Sequence, residues 1–437
     1  MNKKCVVDSI IKELEQTGSQ IDYVDELRSE ALNLAGQCSS VLNALNEIAL
    51  SIRTETESFL RSKNKDGIQF VTGISTCIYL PDFKNNGEYK IKILGGDRFR
   101  DISLPIDEDT MFDVASITKL FTLILLFKLE ELKLLNLDTK VSDINPDFQK
   151  LEDFTLMDLI RLHGELKTEG NVRMASSKEE AYEILKTLYL SSNSRLENNY
   201  TDFGAIVLSD TVEKVMSKYS GKKMAYDEIM RMYLLEPLGL SNTMFNPQTN
   251  NISGTGFSSS TIHDPKAMLL GGAVGSAGLF TTSEDLALLA KHLFRIKYVD
   301  NGLISKINLY RLGEITFPNS KQNNKGNLGI YVKHPQGLAK TYTPSEFSNG
   351  SFSHQGWTGS LATFDAVNGI HQSILINSIY DDIDKTKVRS DKPVGFGRAF
   401  DFYLAQLTKK TMLMYLVKQY YNRLEQNMDI SINIPIK

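Results

Sequence analysis

One stretch constrains the fold of this chain more than any other: Met111 to Lys133, MFDVASITKLFTLILLFKLEELK. A short apolar opening leads to Ser116. From Ile117 on, apolar residues fall at helical spacing, at Leu120, Leu123, Leu126, Phe127, Leu129 and Leu132. Ser116 then stands where a helix begins, and Lys119 lies one turn along the same face. The helix start adds backbone N–H groups and a positive dipole end. A serine hydroxyl becomes an effective nucleophile when a base takes its proton, and a neutral lysine is such a base. The S-x-x-K pair alone is weak, because a chain this long holds about one or two by chance. The plain alternative is Ser116 as a helix N-cap and Lys119 as a solvated first-turn residue.

Around that helix the sequence predicts a sheet with helices on its face. Strand character begins at VTGISTCIYLP. NNGEY reads as a turn, and EYKIKILGG alternates as a second strand. Strands return late, in NLGIYVKH, ATFDAVN and HQSILINSIY, before a final amphipathic helix from about Ala399 to Glu425. The tail ISINIPIK reads as an edge strand or a loose end. Residues 134 to about 250 read as an α-rich insert with helices at 156–162, 178–190, 203–216 and 226–235. Asn251 to Gly278 is glycine- and serine-rich, suited to tight turns and close backbone approach. The expected fold class is α+β: an antiparallel sheet flanked by helices, with the insert as a subdomain. The expected division is a helical N-terminal extension over 1–66, a catalytic domain over 67–410, and the end of the last helix plus tail over 411–437. The extension reads as a helical pair packed on the main domain. Its other reading is a partner-binding or dimerising appendage, so a homodimer through these helices is a second expectation.

Composition excludes several classes. A net charge of −4 with both signs interspersed offers no nucleic-acid surface. No run of about 18 apolar residues predicts a membrane span. The N-terminus has no apolar segment of the secretory kind, since Asp8, Lys12, Glu13 and Glu15 interrupt it. Three scattered cysteines, Cys5, Cys38 and Cys77, give neither a disulfide framework nor a metal knot. No histidine pair has metal-ligand spacing, so no metal or cofactor is expected. Together these point to a soluble, reduced, cytoplasmic protein.

Two further elements give Ser116 and Lys119 their meaning. Tyr200-Thr201-Asp202 precedes the apolar helix FGAIVLSDTV and can aim a phenol into a cleft. His354-Gln355-Gly356-Trp357-Thr358-Gly359-Ser360 precedes the strand LATFD, where glycines admit a close backbone and a strand edge can offer an N–H to an oxyanion. S-x-x-K, then Y-x-[N/D], then H-x-G, in that order, resembles the serine β-lactamases and penicillin-binding proteins. The similarity is to the class C-like branch, with its D-Ala-D-Ala carboxypeptidases, D-aminopeptidases and β-lactamase-fold esterases. FDVASITKLFT, LLEPLGLSNTMF and IHDPKAMLLGGAVGSAGLFTTSEDLA are similar to further elements of that branch, so the likeness covers about residues 68 to 410. The chain departs from the pattern at His163-Gly164-Glu165-Leu166, in place of H-T-S-G-L, and at Ser276, in place of the histidine of A-G-H-A-G.

The resemblance implies a serine hydrolase that forms an acyl-enzyme on an ester or amide. Acyl transfer or cyclisation at the same site is one alternative, and a non-catalytic ligand-sensing fold another. It implies Ser116 as nucleophile, Lys119 as a neutral base with lowered proton affinity, Tyr200 as proton relay and Asp202 as an orienting group. The oxyanion would lie between the backbone N–H groups of Ser116 and Trp357, with Gly356 beside them. His354 would hold a substrate carboxylate or tune Tyr200. Acylation by a penicillin is compatible with such a fold; its turnover also needs a placed water and is not expected.

Overall fold

The computed structural model describes residues 3–436 apart from 66, 68, 84–86, 101, 192–199, 255–261, 300–301, 315–325, 334–341, 379–395 and 424–429. The first two residues of the turn expected at NNGEY and the last six of the NISGTGFSSS stretch lie outside the described residues.

The architecture is mixed α and β, a seven-stranded sheet covered by helices on both faces. Across the sheet the strands run Ile430–Ile436, Gly87–Gly96, Gly73–Asp82, Ile370–Ile376, Leu361–Asp365, Phe352–Gln355 and Tyr331–Val332. Neighbours are antiparallel, in registers such as Ile74↔Ile376 and Gly73↔Gly96. The exception is the C-terminal strand, which adds parallel to Gly87–Gly96 as one edge.

Period-two alternation sorts the side chains of the central strand between two cores. Ile74, Ile78 and Leu80 face one core, and Cys77 and Tyr79 the other. The first core is closed by the helix Phe396–Asn422 and by three N-terminal helices, Lys3–Gln16, Val24–Gln37 and Val41–Leu60. Three helices thus occupy the stretch read as a pair. Their periodic residues, among them Ile10, Leu14, Leu27, Leu45 and Ile52, pack inside the chain. Tyr403 fastens this layer to the sheet: its hydroxyl lies 2.9 Å from Thr56 Oγ1 and 2.8 Å from Thr76 Oγ1.

The second core surrounds the helix Thr118–Glu131, in which eleven of 14 residues are buried. The helix is apolar all round, so it passes through the interior, not along a surface with one buried face. The insert wraps it, with the helix Phe203–Ser220 crossing close by. The insert also contains short strands that its sequence does not announce. Leu166–Lys167 pairs with Tyr189–Leu190, and Met244–Phe245 joins Leu279–Thr281 and Phe112–Asp113 in a small sheet. Strands of two or three residues are too short to show a period. The small sheet still matters, because it fixes the backbone immediately before Ser116.

Candidate active site

Ser116 is the middle residue of a tight turn, Ala115–Ile117, that runs straight into the Thr118–Glu131 helix. It is not the helix N-cap; that position falls to Ile117. Ala115 has φ of +44°, a left-handed conformation that costs a residue with a Cβ roughly 1–2 kcal/mol. Asp113 holds the strained turn: its buried carboxylate accepts the Ala115 N–H at 2.8 Å and the His263 N–H at 2.8 Å. Burial pushes the Asp113 carboxyl up to about 6, against the two N–H donors that lower it.

The Lys119 side chain is fully buried. Its Nζ donates to Ser116 Oγ at 3.0 Å, to Asp202 Oδ1 at 2.8 Å and to the Ser276 carbonyl at 3.0 Å. The S-x-x-K spacing therefore delivers the amine to the hydroxyl, as one helical turn should. The charge state differs from the expectation. Burial alone pushes Lys119 down, but the Asp202 carboxylate and Tyr200 outweigh it and hold the ammonium above the ordinary lysine range. The sequence shows the lysine but not the sign of the field around it.

Tyr200 donates from its hydroxyl to Ser116 Oγ at 3.0 Å, and its ring lies 5.0 Å from Lys119 Nζ. Ser116 Oγ thus has two polar neighbours at one distance. Asp202 occupies the N-cap position of the Phe203–Ser220 helix but makes no capping bond there. Thr201 Oγ1 accepts the Phe203 N–H, and the Asp202 carboxylate reaches sideways. Its Oδ2 lies 2.5 Å from Lys266 Nζ. Although burial works the other way, the two lysines hold Asp202 well below the usual carboxylate range.

The His354–Ser360 segment closes the other side. His354 sits on the strand Phe352–Gln355 and is 2% exposed. Its ring nitrogens face the carbonyls of Gln355 at 3.1 Å and Leu328 at 3.3 Å. Its strand is paired on both sides, with Leu361–Asp365 and with Tyr331–Val332. Gly356 lies against the nucleophile turn: a Cβ there would come 2.4 Å from the Val114 carbonyl oxygen. Thr358 Oγ1 donates to the Asp113 carbonyl at 2.8 Å. Trp357, 49% exposed, is carried between these two anchors.

Sequence reading missed three participants. Asp113 and Lys266 lie within stretches already noted, FDVAS and HDPKA, but only the fold reveals what they touch. Leu328 and Gly329 form a turn with φ of +49° and +83°, and a Cβ on Gly329 would come 2.2 Å from the Tyr200 ring. At the departing loop, His163 Nδ1 pairs with Asp158 Oδ1 at 2.9 Å. Ser276 supplies its carbonyl to Lys119, while its own hydroxyl is buried without a partner.

The comparison that decides the family is a match of the Beta-lactamase family model to residues 89–391, more than half of the chain. The chain belongs to the beta-lactamase family. A provisionally named D-alanyl-D-alanine carboxypeptidase from Salmonella agona (strain SL483) is 24% identical over 327 residues, covering 64% of this chain and 72% of that protein. Among solved structures, this family member has the fold of EstCE1, a hydrolase with promiscuous acyltransferase activity. The TM-score is 0.57 at 17% identity, over 82% of this chain and 98% of that one. It shares the fold of a class C beta-lactamase in complex with cefoxitin as well. There the TM-score is 0.56 at 15% identity, over 85% and 98%.

Proposed function

We propose that this beta-lactamase family member is a serine hydrolase that acylates itself at Ser116. Ser116 Oγ attacks the carbonyl carbon of an ester or amide. Its proton passes to the Lys119–Tyr200 pair and from there to the departing alcohol or amine. Water, deprotonated by the same pair, then releases the acid. One observation carries this reading: Ser116 Oγ lies 3.0 Å from both Lys119 Nζ and Tyr200 Oη.

Because Asp202 favours the ammonium, the pair must shed one proton before it can accept that of Ser116. The two groups share this step, and its apparent pKa belongs to both. The backbone N–H groups of Ser116 and Trp357 are the proposed oxyanion donors, each worth about 3–4 kcal/mol in the transition state. D-amino-acid peptides are the amide class to try first, in view of the carboxypeptidase relative, and short-chain esters the ester class. A cytoplasmic setting is part of the proposal. The three cysteines are free, and among the described residues no helix is long and apolar enough to cross a membrane.

The test is turnover of p-nitrophenyl esters and of D-alanyl-D-alanine peptides by the wild type and by Ser116→Ala. Hydrolysis by the wild type that falls at least about a thousandfold in the variant is the expected result. Full turnover by Ser116→Ala of a substrate that the wild type cleaves would refute the reading. Added alcohols or amines, with transferred and hydrolysed products compared, separate acyl transfer from hydrolysis.

A further inference from the structure

Lys266 has no part in the chemistry just described, yet it is 7% exposed and its Nζ lies 2.5 Å from Asp202 Oδ2. Lys119 Nζ lies 2.8 Å from the other oxygen, Oδ1. One carboxylate therefore bridges two buried ammonium groups, and one of these touches the nucleophile. Lys266 is held in place. It follows Pro265 in the short helix Pro265–Leu269, where Asp264 accepts the Ala267 N–H. The adjacent His263 N–H is bound by Asp113, which also grips the turn before Ser116. The segment that carries Lys266 is thus anchored to the nucleophile turn on one side and to Asp202 on the other.

We infer that Lys266 is a positioning residue that draws Asp202 away from Lys119 and so sets how readily the Lys119–Tyr200 pair gives up a proton. The inference rests on the proposed acylation at Ser116. An anion facing Lys119 alone would lock the ammonium and leave no base. With Lys266 the cluster holds two cations and one anion, and the loss of one proton leaves it neutral. Lys119 is faced by the Ser116 and Tyr200 hydroxyls, the Ser276 carbonyl and Asp202. Lys266 is faced by Asp202, by Asp264 of its own segment, and by Arg173 from the neighbouring turn. Lys178 lies beside Gly271, just past the helix that carries Lys266. In each lysine burial favours the neutral amine and Asp202 overrides it, which marks Asp202 as the group through which the two communicate.

The test measures the rate at which a fluorophosphonate phosphonylates Ser116 with loss of fluoride, followed by intact mass, from about pH 5 to pH 10. Wild type, Lys266→Met and Asp202→Asn are compared. The rate should rise with pH along a limb that reports proton loss from the pair. In Lys266→Met that limb should move up by about one pH unit, with a roughly tenfold slower reaction on the limb. In Asp202→Asn it should move down by about one unit. A Lys266 with only a structural part would lower the melting temperature and leave the limb in place. A Lys266→Met limb superimposed on that of the wild type overturns the inference while the hydrolase reading stands. If Lys266→Met does not fold, Lys266→Gln is read in the same way: a limb superimposed on that of the wild type overturns the inference. A wild type unlabelled at every pH overturns the hydrolase reading and this inference with it.

Discussion

Gly356→Ala should damage the site without touching any reacting group. The added Cβ would lie 2.4 Å from the Val114 carbonyl oxygen, where ordinary contact begins at 3.4 Å. Something must therefore move by about 1 Å. Val114 has little freedom, because its N–H is bonded to the Leu279 carbonyl at 3.1 Å and its carbonyl accepts the Ile117 N–H at 3.0 Å. The segment of residues 356–358 is the part that shifts, carrying Trp357 away from Ser116. A displacement of about 1 Å at a reacting centre costs on the order of a hundredfold in rate, or about 2.7 kcal/mol. Overpacking should cost a further 1–3 kcal/mol or so of stability. The assay is the rate constant for fluorophosphonate labelling, together with a thermal melt. The expected result is a cooperative melt at lower temperature and labelling slowed roughly a hundredfold. Labelling within about twofold of the wild type would refute the reasoning, because the close approach at Gly356 would then have no bearing on the nucleophile.

Three further outcomes follow from particular contacts. Tyr200→Phe removes the hydroxyl at 3.0 Å from Ser116 Oγ while leaving the ring beside Gly329. Acylation should slow by about 10²–10⁴-fold with the melting temperature unchanged, and a rate within threefold of the wild type would exclude the relay. Asp113→Asn places an amide NH₂ against one of two backbone N–H donors, so the Ala115 turn should loosen. A labelling rate at least about tenfold lower is expected, and an unchanged rate would count against Asp113 as the clamp. His371 concerns stability: burial holds its imidazole down to about 3, with Nδ1 on the Thr363 carbonyl at 2.9 Å. A folded pKa below the unfolded value of about 6.5 means that the neutral ring's contribution is complete above pH 6.5. It is lost as pH falls from there toward 3. Denaturant melts of wild type and His371→Phe against pH test this, and parallel curves would refute it.

Much of the site was legible because the chemistry lies close along the chain. Ser116 and Lys119 are one helical turn apart, so their contact follows from helix geometry alone. The step from Ser116 to Tyr200 and Asp202 spans more than 80 residues and rested on the order of motifs, not on physics. The charge on Lys119 was not legible, because Asp202 and Lys266 reach it from distant segments, and a field is a property of the fold. His354 taken singly reads in the sequence as structural, and only the resemblance implies a ligand-facing role; the fold shows both ring nitrogens near backbone carbonyls, those of Gln355 and of the Leu328 turn. The large sheet was legible in Gly73–Asp82, Gly87–Gly96, Leu361–Asp365 and Ile370–Ile376, while the C-terminal strand read equally as an edge strand or a loose end. The two-residue strands of the insert, set by pairing partners far off in sequence, were not. In the first 60 residues periodicity marked which faces are buried, but not that the last helix and the sheet bury them.

The most direct test of the central claim is intact-protein mass after exposure to a fluorophosphonate and, separately, to a penicillin, with Ser116→Ala as control. A single adduct that maps to Ser116 and is absent from the variant is the predicted result with the fluorophosphonate. The penicillin shows whether the same serine opens a β-lactam. No adduct with either reagent, or one that persists in Ser116→Ala, would contradict the assignment of Ser116 as an activated nucleophile.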